Sequence, residues 1–159
     1  MIRFVHTADL QLGAPFAHLP NESRARVQEQ RFDALERVLA LGKERGARFV
    51  LVAGDFFDAN TVERSVVARA CTIVKASGLP VYVLPGNHDH GGHDSVYRRP
   101  YFLEHAPKNL HVMLDMTPVV VDNGSAVLLP APLMARHVYS DPLGHLDARF
   151  GRHEAPDAV

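Results

Sequence analysis

RFVLVAGDFFD, residues 48–58, is the stretch on which the fold turns. From Phe49 to Ala53 it is continuously apolar, as a strand covered on both faces is, and such strands belong to parallel sheets. Behind the strand comes Gly54-Asp55-Phe56-Phe57-Asp58, two carboxylates just past its carboxyl end. Ligands of open α/β sheets bind beyond that end of the strands, so the same stretch also marks a candidate site.

Working outward, IRFVHT at residues 2–7 reads as a first strand, followed by an irregular segment broken by Gly13, Pro15 and Pro20. A helix is expected over residues 22–45, with Asn21 and Ser23 as candidate N-caps and Val27, Leu35, Val38, Leu39 and Gly42 near one face. Gly46 stands where a helix C-terminal glycine is expected. Downstream, Asn60 and Glu63 resemble a capping box opening a second helix that ends near Ser77, with Gly78 behind it. Val66, Ala70, Ile73 and Val74 form its inner stripe, and Cys71 lies beside them as a packing residue. PVYVL, residues 80–84, is a third strand. The order β-α-β-α-β with short links implies a parallel sheet and right-handed crossovers. A Gly- and His-rich loop at residues 85–93, a short helix over 95–105 interrupted by Pro100, and a fourth strand over 110–114 follow. Residues 118–122 and 125–129 flank Asn123-Gly124, a two-residue hairpin signal. The fold class expected is α/β, a parallel βαβαβ core plus a hairpin.

The chain's 159 residues make one domain or part of one. Hydrophobic residues at 47% exclude a disordered polymer. Seventeen basic against eighteen acidic residues leave a formal charge of −1, so no global positive field holds nucleic acid or an anionic membrane, and any contact with DNA is local. The single cysteine excludes an intrachain disulfide and fits a reducing compartment. Apolar runs are too short for a membrane-spanning helix, and the first residues contain no signal-peptide core; a cytoplasmic protein is the expectation. The last residues close no element, and the chain is expected to be the N-terminal portion of a longer domain.

Reading past each strand gives Asp9-Leu10-Gln11, then Gly54-Asp55 with Asp58, then Gly86-Asn87-His88-Asp89. Asp9 and Asp55, brought to one sheet edge, repel each other unless a divalent cation lies between them. Carboxylate, amide and imidazole donors suit manganese, magnesium, iron or zinc. Two such ions can clamp a phosphate and activate water for in-line attack. Each fragment alone reads as a turn or helix cap; the three in order at successive strand ends read as a site.

Asp9-x-Gln11, Gly54-Asp55-x-x-Asp58 and Gly86-Asn87-His88-Asp89 resemble the first three motifs of the calcineurin-like metallophosphoesterases, D-x-H, G-D-x-x-D and G-N-H-D/E. The opening FVHTADLQLG, residues 4–13, and Gly54-Asp55-Phe56-Phe57-Asp58 are similar to the SbcD-type exonucleases of double-strand-break repair. The resemblance covers about residues 2–135. It implies part of a four-layer sandwich and metal-dependent phosphodiester hydrolysis, with DNA as the expected substrate. It also implies two divalent ions, manganese foremost, and a coiled-coil ATPase of the SbcC type as partner. Carried over, Asp9 ligates the first metal, Asp55 bridges both, and Asn87 ligates the second. His88 stabilises the transition state or protonates the leaving group, Asp58 orients His88 by accepting its other ring proton, and Asp89 is structural. Gln11 stands where the family has a ligand histidine; its carbonyl can coordinate, more weakly than imidazole. The family's later histidine motifs have no match, since Gly144-His145-Leu146-Asp147 lacks the second histidine. Two other readings stay open: a phosphodiesterase acting on small diesters or nucleotides, and a regulatory or scaffolding relative without a working first metal site.

Among other residues, His90 and His93 are expected to be solvated and His6 partly buried and hydrogen-bonded. Tyr97 and Tyr101 beside Arg98-Arg99 suit either a nucleic-acid backbone or, the favoured reading, a solvated helix with aromatic anchors in the core. Of Phe56 and Phe57, one is expected under the loop and the other shaping the site.

Overall fold

Alternate residues of the central strands face two different neighbours, and this explains their unbroken apolarity. A computed structural model describes residues 2–144 and 146. Strands β1 (Phe4–Thr7), β2 (Phe49–Ala53), β3 (Val81–Leu84) and β4 (Leu110–Val112) stand side by side in chain order, all parallel. Phe4 pairs with Phe49, Val50 with Val81, and Val81 with Leu110. Val50, Val52, Val81 and Val83 join one core with Phe32, Leu35 and Leu39 of helix α1 (Asn21–Glu44), with Val67, Ala70, Cys71 and Val74 of α2 (Arg64–Ser77), and with Phe102 of α3 (Pro100–His105). Phe49 and Tyr82 face the other way, toward Val121 and its neighbours in the antiparallel hairpin β5 (Val119–Val121) and β6 (Ala126–Leu128). Each fully buried aliphatic or aromatic side chain contributes roughly 1.5–3 kcal/mol, so both faces of the sheet are committed. The α/β fold with a parallel sheet and a following hairpin is as the sequence implies. Among the described residues no helix is long and apolar enough to cross a membrane.

Local details differ from the sequence reading, each for an identifiable reason. Helix α1 starts at Asn21 behind Pro20 with no side-chain cap, so neither Asn21 nor Ser23 performs the expected role. Phe32 joins its inner stripe. Helix α2 starts at Arg64, with Glu63 in the N-cap position and no side-chain cap bond. Asn60 is buried instead and spends its amide elsewhere: Nδ2 donates to the His90 carbonyl at 3.2 Å and Oδ1 accepts from the Val96 amide at 2.9 Å. Gly78 ends α2 in the left-handed region at φ 68°, as expected of a helix terminus. The helix expected over 95–105 is interrupted at Pro100 as expected: a 3-10 turn spans Val96–Arg98, and Pro100 begins the separate α3, its missing N–H costing nothing at the first turn. The hairpin turn is longer than two residues: Val121 pairs with Ala126, and Asp122, Asn123 and Gly124 all take positive φ. Asp122 is drawn into the turn by Arg48, whose Nε donates to its carboxylate at 2.6 Å.

Cys71 is buried, and burial pushes its thiol up to about 11. Phe56 and Phe57 are both fully buried and pack edge to face, so neither lines the site. His6 is exposed on the edge strand β1, not part-buried. His90 is half-buried, with Nδ1 shielded from solvent 3.8 Å from an Asp94 carboxylate oxygen, while His93 is exposed as expected. Tyr97 is an anchor in the core, and Tyr101 stacks on His105 at the surface. His145, Asp147 and His153 lie outside the described residues.

Candidate metal centre

The sheet's hydrogen bonding does not stop where its strands do. Past β1, the Asp9 amide donates to the Gly54 carbonyl at 3.2 Å, Gln11 to Asp55 at 2.8 Å and Leu12 to Phe56 at 3.0 Å. The Asp58 amide returns a bond to Leu12 at 3.0 Å, and Leu12 and Phe57 form a parallel bridge. Gly54 donates to Leu84 at the end of β3 at 2.9 Å. These bonds carry the loops after β1 and β2 along one edge, against the turn that follows β3.

Asp55 is the centre of the arrangement. It is 6% exposed, and its Oδ1 accepts the His88 amide at 3.0 Å. A β-carbon at Gly86 would lie 2.1 Å from that oxygen and 2.6 Å from the Asp55 amide nitrogen, so only glycine lets the two loops meet. Asp89, fully buried, ties the same loops together. Its Oδ1 accepts the Gly86 amide at 2.8 Å, and its Oδ2 accepts the Phe57 amide at 3.1 Å and the Tyr97 hydroxyl. Burial, reinforced by the Asp89 carboxylate, pushes the Tyr97 phenol well above its usual range, so it stays a donor. The structural role expected of Asp89 therefore has a concrete form: it fixes the β3 turn to the β2 loop.

Of the residues read as ligands, Asp9, Gln11 and Asp55 all hold left-handed backbones, with φ of 54°, 45° and 52°. Non-glycine residues take this region at a cost and persist in it only where surrounding structure imposes it, most often at functional sites. Asp9 is exposed and Gln11 half-buried. Asn87 is exposed and directly follows Gly86. His88 is half-buried, and its Nδ1 donates to the Asp58 backbone carbonyl at 2.8 Å. The Asp58 carboxylate, expected to accept that proton, stands 4.0 Å off. A carbonyl can only accept, so the proton is fixed on Nδ1 and Nε2 is the nitrogen left to act.

Two carboxylates and two side-chain amides make up the donor set. Oxygen donors of this kind suit hard divalent cations. Among the described residues no group of three or more His, Cys, Asp or Glu stands ready to hold a metal. By chemistry the two carboxylates and two amides are donors that a hard divalent cation accepts. Three contributors escape the sequence reading: Asn60, because its capping signature points to the wrong partner; Tyr97 as a loop lock; and Arg31 of α1, whose Nη1 donates to the Asp9 and Leu10 carbonyls at 3.2 and 3.0 Å. The spacing of Arg24, Gln28 and Arg31 on one helical face is the signal that could have found the last.

The chain belongs to the calcineurin-like phosphoesterases, whose family profile matches residues 2–146. Enzymes of that family hydrolyse phosphoesters at a dinuclear metal centre. Over 125 residues the chain is 31% identical to the uncharacterized metallophosphoesterase YhaO of Bacillus subtilis (strain 168). The match takes in 74% of this chain and 29% of that relative, so the chain spans under a third of the relative's length.

Proposed function

We propose that the chain carries the first part of a two-ion phosphodiesterase centre acting on DNA. The observation that supports this best is the trio of left-handed residues, Asp9, Gln11 and Asp55, at adjacent strand ends, with the Gln11 amide bonded to Asp55 and the Asp9 amide to the neighbouring Gly54. The choice of DNA rests on the similarity of residues 4–13 and 54–58 to the break-repair exonucleases. A coiled-coil ATPase as partner goes with that choice.

Asp9 and Gln11 would hold the first ion, Asn87 the second, and Asp55 would lie between them. Bound ions would supply an activated water and neutralise charge developing on the phosphate. The protein's own groups do the rest. Gly86 admits the Asp55 carboxylate to the β3 turn. The Asp58 carbonyl holds the His88 ring with its proton on Nδ1, so that a protonated His88 presents Nε2–H to the departing oxygen. Asp89 and Tyr97 keep these two loops in register.

Gln11, and the lack among the described residues of any group of three or more His, Cys, Asp or Glu placed to hold a metal, favour a second reading, a relative that binds DNA or a partner without hydrolysing it. The two separate in one experiment on the natural full-length chain, with manganese, a chromogenic phosphodiester and linear duplex DNA. On the first reading both substrates are cleaved, DNA preferentially. Asn87→Ala and His88→Ala both abolish turnover, and only Asn87→Ala lowers bound manganese. No hydrolysis of either substrate by a manganese-loaded protein sinks the enzymatic reading. Preference for the small diester transfers the site to nucleotide-sized substrates, and loss of manganese in His88→Ala makes His88 a metal ligand instead of a proton donor.

A further inference from the structure

One face of α1 grips the loop that carries Asp9 and Gln11. Arg24, Gln28 and Arg31 are spaced four and three residues apart, which sets them in a row on the helix. Arg24 Nη2 donates to the carbonyls of Leu19 at 3.2 Å and Ala17 at 3.4 Å, and Gln28 Nε2 to Ala14 at 3.0 Å. Arg31 Nη1 serves both Asp9 and Leu10, at 3.2 and 3.0 Å. The Phe16 ring lies 5.3 Å from the Arg31 guanidinium carbon. Phe16, Asp9 and Gln11 are themselves left-handed, so the loop is strained on both sides of this contact.

The three arms are not equivalent. Arg24 and Gln28 hold the far end of the loop. Arg31 fixes the two peptide planes between Asp9 and Gln11 through charge-assisted bonds from one nitrogen. Across those planes the loop meets β2's extension, where the Gln11 and Leu12 amides donate to Asp55 and Phe56.

We infer that Arg31 is a positioning residue for the first-ion side of the site: by holding the Asp9 and Leu10 carbonyls it keeps Asp9 and Gln11 in the left-handed backbone that seats them beside Asp55. The geometry stands by itself; its consequence for metal binding rests on the function proposed above.

The test compares Arg31→Met, Arg31→Lys and Arg24→Met in the natural full-length chain. Each is read by amide exchange at Gln11 and Leu12, by manganese affinity from electron paramagnetic resonance, and by thermal midpoint. Arg31→Met and Arg24→Met each remove one arm and its two hydrogen bonds from the same row, so a merely structural role predicts similar effects from both. The inference predicts a split. Arg31→Met speeds exchange at Gln11 and Leu12 and weakens manganese binding, each by about tenfold, as loss of groups that orient metal ligands does. Arg24→Met changes neither by more than about twofold. Arg31→Lys, which keeps a donor cation, falls between, and it carries the test if Arg31→Met does not fold. Unchanged exchange and affinity in the Arg31 variants, or equal changes in Arg24→Met, overturn the inference. A wild-type chain that binds no manganese fells the metal reading instead, and exchange alone then decides Arg31's hold on the loop.

Discussion

The loops after β2 and β3 and the loop after β1 bring candidate ligands to one sheet edge, yet they are held in opposite ways. In the first pair buried carboxylates form the scaffold. Asp55 takes the His88 amide, and Asp89 takes two amides and a hydroxyl in full burial. In the β1 loop Asp9 is exposed, and its restraint is imported from α1 through backbone carbonyls. Where a side chain both shapes the loop and faces the site, replacing it damages both. Where backbone carbonyls carry the restraint, the side chain is free to vary, and position 11 bears glutamine where the family has histidine.

The sharpest way to break this contrast is Asp89→Ala. It leaves the Gly86 and Phe57 amides and the Tyr97 hydroxyl buried without their acceptor, and it is expected to cost about 3–5 kcal/mol in urea unfolding. A cost below about 1 kcal/mol means that the loops are held by something else. Next comes Gly86→Ala, whose methyl would collide with the Asp55 carboxylate and amide. It should destabilise by about 2–3 kcal/mol and, by displacing Asp55, reduce manganese binding. Retained affinity in a folded variant would show that Asp55 is not a ligand. The mildest change is Gln11→His. Histidine is among the residues that accept positive φ more readily, so stability should move by less than about 0.5 kcal/mol. Imidazole should raise manganese affinity, on the order of tenfold by titration. An unfolded or metal-free Gln11→His chain would deny that side chain and restraint are separable in this loop.

Much of the architecture is legible in the sequence because hydrophobic continuity is a strong physical signal. The run 49–53 can be buried on both faces only in a covered parallel sheet, and both covers are present. Which residues leave the sheet at one edge is legible for a related reason, since strand order and polarity dictate it. What the sequence conceals is side-chain partnership. Asn60 followed by Glu63 has the pattern of a capping box, yet a buried amide bonds to whichever backbone lies closest, in this fold His90 and Val96. Asp58 does partner His88, but through its main chain, which no side-chain pattern reports. The aromatic pair Phe56-Phe57 departs from expectation because the loop after β2 runs parallel to the loop after β1, bridged at Leu12 and Phe57, and both rings end up buried.

The one thiol of the chain, Cys71, is buried between helix and sheet and held in its protonated form up to about pH 11. Near neutrality these 159 residues, when folded, are therefore a blank background for maleimide chemistry. A cysteine engineered at Ala17 or His18, both exposed, could carry a single spin or fluorescent reporter without first removing the natural one.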